Sequence, residues 1–402
     1  MARTPTVLFG AFDRHNFGDL LIAQVAARLL PDREVLVAGL AARAPCSDGG
    51  PATVALAQVE AFARGRPVNV IHAGGELLTC DAWQAAVMLA PRSRVQALIG
   101  AEGDWLRDKR AWARARFGTA SLAPYVVSKA TLPGVPVKHL AFNAVGGVDL
   151  DARDADLRAE VLHALQSAGA VSARDRQTQA VLAQRGVDAD LIPDPAAMTM
   201  ALFGTTIRRH TAKKALRDVF EAFPRGYAAV QFSADFGDDA TLDTLAAQLE
   251  RVALAHGIGI VLFRAGAAPW HDDLAVYERL AARLPRAVAH VFASLNVWDI
   301  CALIAGSRVY CGSSLHGRIV AMACALPRLN ISHPDQIASL TKHVAYAATW
   351  EPDGVPGTVA ISDLAEAVDR ALAADREALR ATASGLARRY RAGFAALVAR
   401  LD

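Results

Sequence analysis

No stretch of about 18 uncharged apolar residues occurs in the 402-residue chain, so no segment reads as a membrane-spanning helix. The opening MARTPTVLFGAFDRHNFGD turns polar after one short apolar run, unlike a signal peptide. Cysteine is scarce and odd in number. Cys46, Cys80, Cys301, Cys311 and Cys324 form no C-x-x-C pair, which fits a reducing compartment and disfavours a zinc site. An excess of one charge is missing as well. The 43 Lys+Arg residues face 40 Asp+Glu, a net +3, so no overall basic field argues for nucleic acid. The chain has no G-x-G-x-x-G fingerprint, no Walker A sequence, no fixed-period repeat and no dense His/Asp/Glu cluster. With 53% hydrophobic residues, 21% charged and a mean hydropathy of +0.22, disorder is excluded as the main state. At about 100–200 residues per domain, the expectation is a two-domain cytoplasmic protein.

What is present is an alternation of short apolar runs with longer helical patterns. Thr6–Gly10, Glu34–Ala38, Asn69–His72, Val95–Ile99, Val137–Phe142 and Gly169–Ser172 read as strands, apolar on both faces as in a buried parallel sheet. Leu20–Leu30 carries apolar residues at helical spacing. The periodicity lapses through the polar, basic stretch Thr205–Lys214, which reads as a linker. A second series follows: strands Ala228–Phe232, Ile258–Phe263, Ala289–Phe292, Arg308–Cys311 and Arg328–Ile331, with a helix at Thr241–Ala255. Two amphipathic helices, Asp363–Ala373 and Asp375–Leu401, close the chain. The fold class is therefore α/β, with two Rossmann-like lobes of parallel strands facing across a cleft, residues 1–204 and 205–402.

Ligands of open α/β sheets sit at the carboxyl ends of the strands, so four loops matter most. In Gly10–Asp19, Asn16 and Gly18 suit a tight turn, and Asp19 stands at the start of a helix, either as its N-cap or as a working carboxylate. Gly74 and Gly75 follow a strand, where they form a bare turn or let a ligand approach closely. Arg174 leaves another strand end and offers a fork for a carboxylate or phosphate, or else a surface pair with Asp175. The fourth loop, Cys311–Arg318, carries the most weight. Its strand ends in small residues and a helix begins, so free N–H groups, Ser313 and Ser314 make an anion site, with His316 in the first turn and Arg318 on the next. The alternative there is a capped helix with a half-buried histidine. Two basic stretches, Trp105–Arg116 and the last helix with Arg388, Arg389, Arg391 and Arg400, read as solvated faces or as surfaces for an anionic membrane or polyanion.

Taken together the loops resemble the polysaccharide pyruvyl transferase family. The resemblance rests on Asn16-Phe-Gly18-Asp19, Gly74-Gly75, Arg174-Asp175 with Asp194-Pro195, and Ser314-Leu-His316-Gly317. The run from Ser294 to Ala305 and Ala321–Pro327 are similar as well, so the likeness spans about residues 6–350. It implies a GT-B-like fold and transfer of a pyruvyl group from phosphoenolpyruvate to two hydroxyls of a sugar, glycan or lipid-linked sugar, forming a cyclic ketal. It implies His316 as general acid and Arg174 as a ligand of the donor's anionic groups. Phosphoenolpyruvate is the co-substrate and no metal or other cofactor is expected. Ser314 stands where many members have arginine, and Arg318 or Arg264 is the candidate to compensate. Asp19 would orient or deprotonate a hydroxyl, with Asn16, Gly18, Gly74 and Gly75 on the acceptor side and Ser313, Ser314, Gly317 and Arg318 on the donor side. Two rival readings stay open: a GT-B glycosyltransferase using a nucleotide sugar, with Glu351 or Asp353 as its acidic residue, and a non-catalytic binding protein on the same fold. The expected location is the cytoplasm, at the inner face of the membrane, with no nucleic-acid partner.

Overall fold

Short runs such as Thr-Val-Leu-Phe at Thr6–Phe9 and Gly-Ile-Val-Leu-Phe at Gly259–Phe263 are buried at every position, which requires cover on both faces and favours parallel pairing. In the computed structural model, which describes residues 3–44, 48–132, 134–336 and 341–402, such runs make two parallel sheets. The first uses β1 (Thr6–Phe9), β2 (Val35–Gly39), β3 (Val54–Ala55), β4 (Val68–Ala73), β5 (Val137–Val145), β6 (Ala170–Ala173) and β7 (Asp190–Leu191). The second uses β8 (Tyr227–Gln231), β9 (Gly259–Phe263), β10 (Ala289–Phe292), β11 (Val309–Gly312), β12 (Arg328–Ser332) and β13 (Thr358–Ala360). Their orders, β3-β2-β1-β4-β5-β6-β7 and β10-β9-β8-β11-β12-β13, repeat one topology. In each, the chain reverses its direction of travel across the sheet beside the first strand. The switch points therefore lie between β1 and β4 and between β8 and β11, where doubly wound sheets open a crevice for ligands.

The chain forms two compact units, one of Met1–Cys46, Gly50–Pro195 and Arg389–Asp402, the other of Ser47–Gly49 and Ala196–Arg388. The division falls at Pro195/Ala196 rather than at 204/205, and the last residues return to the first unit. The linker expected at Thr205–Lys214 is instead mostly helix, Thr199–Thr211. Its polar end is explained by a buried partner. His210 Nδ1 meets Asp299 Oδ1 at 2.5 Å, Lys213 lies 3.3 Å from the same oxygen, and Phe203 packs on Trp298. The strand expected at Val95–Ile99 is also a helix, Arg92–Gly100, because Val95, Leu98 and Ile99 fall at the three- and four-residue spacing of one helical face. The edge strands β3, β7 and β13 are two or three residues long and too short to leave a pattern. Cys80, Cys301, Cys311 and Cys324 are free thiols, while Cys46 lies outside the described residues. No described helix is long and apolar enough to cross a membrane.

Candidate functional site

At the switch point of the second sheet, β11 ends at Gly312 and the helix Leu315–Ala323 begins. Ser314 caps it: its Oγ accepts the Gly317 amide at 3.2 Å, one of the orphan donors of the first turn. Ser313 is used differently. Its amide donates to the Gln231 carbonyl at 3.1 Å and its Oγ accepts the Ser233 amide at 3.0 Å, tying this loop to the end of β8. The Tyr310 hydroxyl donates to the Ser314 carbonyl at 3.0 Å. A Cβ on Gly312 or Gly317 would lie within 2.5 Å of that hydroxyl, so both glycines make room for the ring. His316, in the first turn, is 8% exposed.

Two arginines of this unit have opposite environments. Arg318 is fully buried, and its Nε donates to Glu351 Oε1 at 2.7 Å. Its remaining nitrogens donate to Asn330 Oδ1 and to the carbonyls of Gly357 and Pro356. Asn330 in turn donates to the Gly312 carbonyl at 2.6 Å, so Arg318 braces the loop from beneath. It is not open to a donor, contrary to the sequence expectation. Arg328 holds the other side of Glu351 at 2.5 Å. Burial pushes the Glu351 carboxyl up, but the two guanidinium groups outweigh it and hold the group below its usual range.

Arg264 follows β9 on the same carboxyl edge. It is 9% exposed and makes no hydrogen bond or ion pair among the described residues, with Nε buried and unpartnered. The charge that faces it is the Asp272 carboxyl, whose ionised form it favours through space without a hydrogen bond, so the donors of this guanidinium are unused within the protein. The loop that carries it is fixed by Asp272, which accepts the Ala265 amide at 2.5 Å, the Gly266 amide at 3.3 Å and Gln231 Nε2 at 2.9 Å. Burial pushes the Asp272 carboxyl up to about 7. The Gln231 Oε1 is buried and accepts no hydrogen bond. Strand order puts β9 two places from β11, about 10 Å at the usual spacing, so Arg264, Gln231 and the helix start share one edge of the sheet.

At the switch point of the first sheet, Asn16 is the N-cap of the helix Phe17–Arg28, its Oδ1 accepting the Gly18 amide at 3.1 Å. That frees Asp19 from capping. Asp19 is 6% exposed and faces Arg14, whose Nη2 lies 3.7 Å from its carboxylate. Arg14 is steered by the Tyr125 hydroxyl at 2.8 Å, which itself donates to Asp13 at 2.8 Å. Asp13, accepting also from the Leu40 and Ala41 amides, is raised by burial. This buried tetrad of Asp13, Arg14, Tyr125 and Asp19 was not anticipated beyond Asp19, because Tyr125 is remote in sequence and carries no motif. His72, on β4, is a core residue: stacked on Phe142 at 4.0 Å, donating to the Ala141 carbonyl and accepting the Val127 amide, it is lowered by burial to about 3.

Gly74 and Gly75 are buried, and the Gly75 carbonyl accepts the Gly146 amide at 2.7 Å. Beside them, Arg174 is 1% exposed and pairs with Glu76, with Asp175 at 3.9 Å and with Asp194 at 3.8 Å. Gly146 has no side chain because a Cβ would lie 2.5 Å from this guanidinium. Asp175 caps the helix Arg176–Gln184 through the Thr178 amide at 2.7 Å. The motif residues Arg174, Asp175 and Asp194 therefore meet as a buried ion-pair knot in the first unit. Arg174 is enclosed there by three carboxylates, so it is not the surface pair with Asp175 that the sequence also offered. Glu76, missed in the sequence, was signalled only by following the two glycines.

Residues 151–335 match the family model described as Polysaccharide pyruvyl transferase. The matched segment makes up slightly less than half of the chain. It holds Arg174, Arg264 and the run Ser313–Arg318, whereas the loops with Asp19 and Gly74–Gly75 precede it. No curated protein sequence matches the chain. Among solved structures, it is similar to the UDP-GlcNAc 2-epimerase from Neisseria meningitidis bound to UDP-GlcNAc, with a TM-score of 0.54 and 9% identity over 99% of each chain. The UDP-N-acetylglucosamine 2-epimerase from Rickettsia bellii gives 0.53 and 10%, covering 100% of this chain and 96% of that one. These neighbours show the GT-B-type fold of two parallel-sheet α/β lobes. The segment matched by the family model contributes most of the second of these lobes.

Proposed function

We propose that this transferase moves the pyruvyl group of phosphoenolpyruvate onto two hydroxyls of a sugar or glycan precursor, and that the second unit binds the donor. The observation that carries the reading is Arg264, a buried guanidinium that makes no hydrogen bond among the described residues, on the same sheet edge as the start of the helix Leu315–Ala323. Phosphoenolpyruvate carries a carboxylate and a phosphate. A fork-shaped cation and a helix N-terminus suit these two groups. His316, in that first turn, delivers a proton to the methylene carbon, which makes C2 electrophilic. The first hydroxyl adds to C2 and gives up its proton. Phosphate then leaves with the C2–O bond electrons, and the second hydroxyl closes the ketal as its proton goes to the phosphate. Asp19, a carboxylate released from helix capping by Asn16, is the group we assign to accept a hydroxyl proton. Phosphoenolpyruvate is the co-substrate, and this chemistry calls on no further cofactor.

A nucleotide-sugar reading loses its best acidic candidate, since both oxygens of Glu351 are held by Arg318 and Arg328. Titration with phosphoenolpyruvate and, separately, with uridine diphosphate tests the choice, using wild type and His316→Ala. Saturable binding of phosphoenolpyruvate alone supports the proposal. Binding of the nucleotide alone overturns it.

A further inference from the structure

From Arg92 to Phe117 the chain carries seven arginines and lysines against three acids, Glu102, Asp104 and Asp108, in a protein whose net charge is only +3. The segment folds as three short helices, Arg92–Gly100, Glu102–Arg107 and Lys109–Phe117, after the helix Ala82–Leu89. The first has no buried residue at all, although Val95, Leu98 and Ile99 form an apolar stripe along it. The core of this unit takes Trp83, Met88, Trp112 and Phe117 as partly buried neighbours, but not these three. Leu106, on the second helix, is 60% exposed. Part of the charge is spent internally, since Lys109 pairs with Asp154 at 2.7 Å and Arg110 with Glu160 at 3.4 Å. Arg92, Arg94, Arg114 and Arg116 are exposed, and their guanidinium groups make no ion pair or hydrogen bond among the described residues.

We infer that these three helices are a docking surface for an anionic lipid bilayer. An exposed leucine, Leu106, with the partly buried Val95, Leu98 and Ile99 beside unpaired arginines matches the two halves of a membrane interface, acyl boundary and anionic headgroup. A second copy of the chain would bring the same excess of positive charge against itself, and nucleic acid offers nothing for Leu106, Val95, Leu98 and Ile99. The inference stands apart from the donor-site reading, because none of these residues belongs to either switch point.

Co-sedimentation of the full chain with phosphatidylcholine vesicles, with and without phosphatidylglycerol, is the test. We expect binding to the anionic vesicles only, weakening as salt is raised. Replacing Arg92, Arg94, Arg114 and Arg116 together by glutamine should lower partitioning by nearly three orders of magnitude, at about fivefold per charge. Leu106→Asp should weaken it further, while circular dichroism and phosphoenolpyruvate binding stay as in wild type. Absence of wild-type binding to anionic vesicles, equal binding to both vesicle types, or an unaltered quadruple variant overturns the inference. So does salt-insensitive self-association of the purified chain that Leu106→Asp abolishes, since that outcome makes a second copy the occupant.

Discussion

The side chain of Asn16 holds the amide of Gly18 at 3.1 Å, and this single bond leaves Asp19 without a capping duty. The two residues should therefore fail in different ways. Asn16→Ala removes an N-cap and is expected to cost about 1 kcal/mol, read as a lower midpoint in urea with turnover largely kept. Asp19→Asn keeps the shape of the loop and removes only a proton acceptor. We expect turnover to fall by about 10²–10⁴-fold with a nearly unchanged urea midpoint. Equal losses of stability in both variants would return Asp19 to a structural role.

Arg264 and Arg318 make a second contrast. Arg264→Ala breaks no protein hydrogen bond, so the fold should persist while phosphoenolpyruvate affinity drops at least about tenfold, the worth of a charge-assisted bond. Arg318→Ala instead leaves Glu351 and Asn330 with a lost partner in the core. A cost of about 3–5 kcal/mol is expected there, seen in chemical denaturation. Unchanged donor affinity in Arg264→Ala would remove the observation on which the donor site rests.

The same logic shows what was legible in the sequence. The order of strands and helices was readable because buried parallel strands leave continuous apolar runs, and the loops with Asn16, Gly74, Arg174 and His316 were found at strand ends. What could not be read was which charged side chains the fold would satisfy internally. Arg174, Arg318 and Arg264 look alike in sequence. Only their surroundings separate a guanidinium enclosed by Glu76, Asp175 and Asp194, one braced by Glu351, and one that makes no hydrogen bond among the described residues. These are contacts between residues far apart in the chain, which no local spacing encodes. The helix at Thr199–Thr211 was missed for the same reason, since Asp299, the partner of its polar end, lies remote in sequence.

Asp272 gives a prediction in pH. Its folded-state value is raised by burial from 3.8 to about 7, so the folded protein binds this proton more tightly than the unfolded chain. Stability from this group is therefore greatest at low pH and falls as pH rises from about 4 to about 7, levelling above. Asp272→Asn has no charge to bury and still offers an oxygen to the Ala265 amide. The difference in melting temperature, variant minus wild type, should grow between about pH 5 and pH 8. Parallel curves would show that Asp272 is not held in this way.

His316 is the sharpest test of the chemistry. It lies 8% exposed, one residue before Gly317, whose amide is already taken by Ser314 Oγ. The Ser314 cap does not use the imidazole, so His316→Ala should retain the helix. A general acid acts in the transition state rather than in binding. The expected result is a fall in kcat of about 10²–10⁴-fold with a smaller change in the dissociation constant for phosphoenolpyruvate. His316→Gln separates proton transfer from hydrogen bonding: glutamine can donate a hydrogen bond but cannot transfer a proton at neutral pH. Equal losses in Ala and Gln therefore mark a proton donor. Rescue by glutamine would mark a residue that positions the donor and would move the search for the acid elsewhere in the second unit.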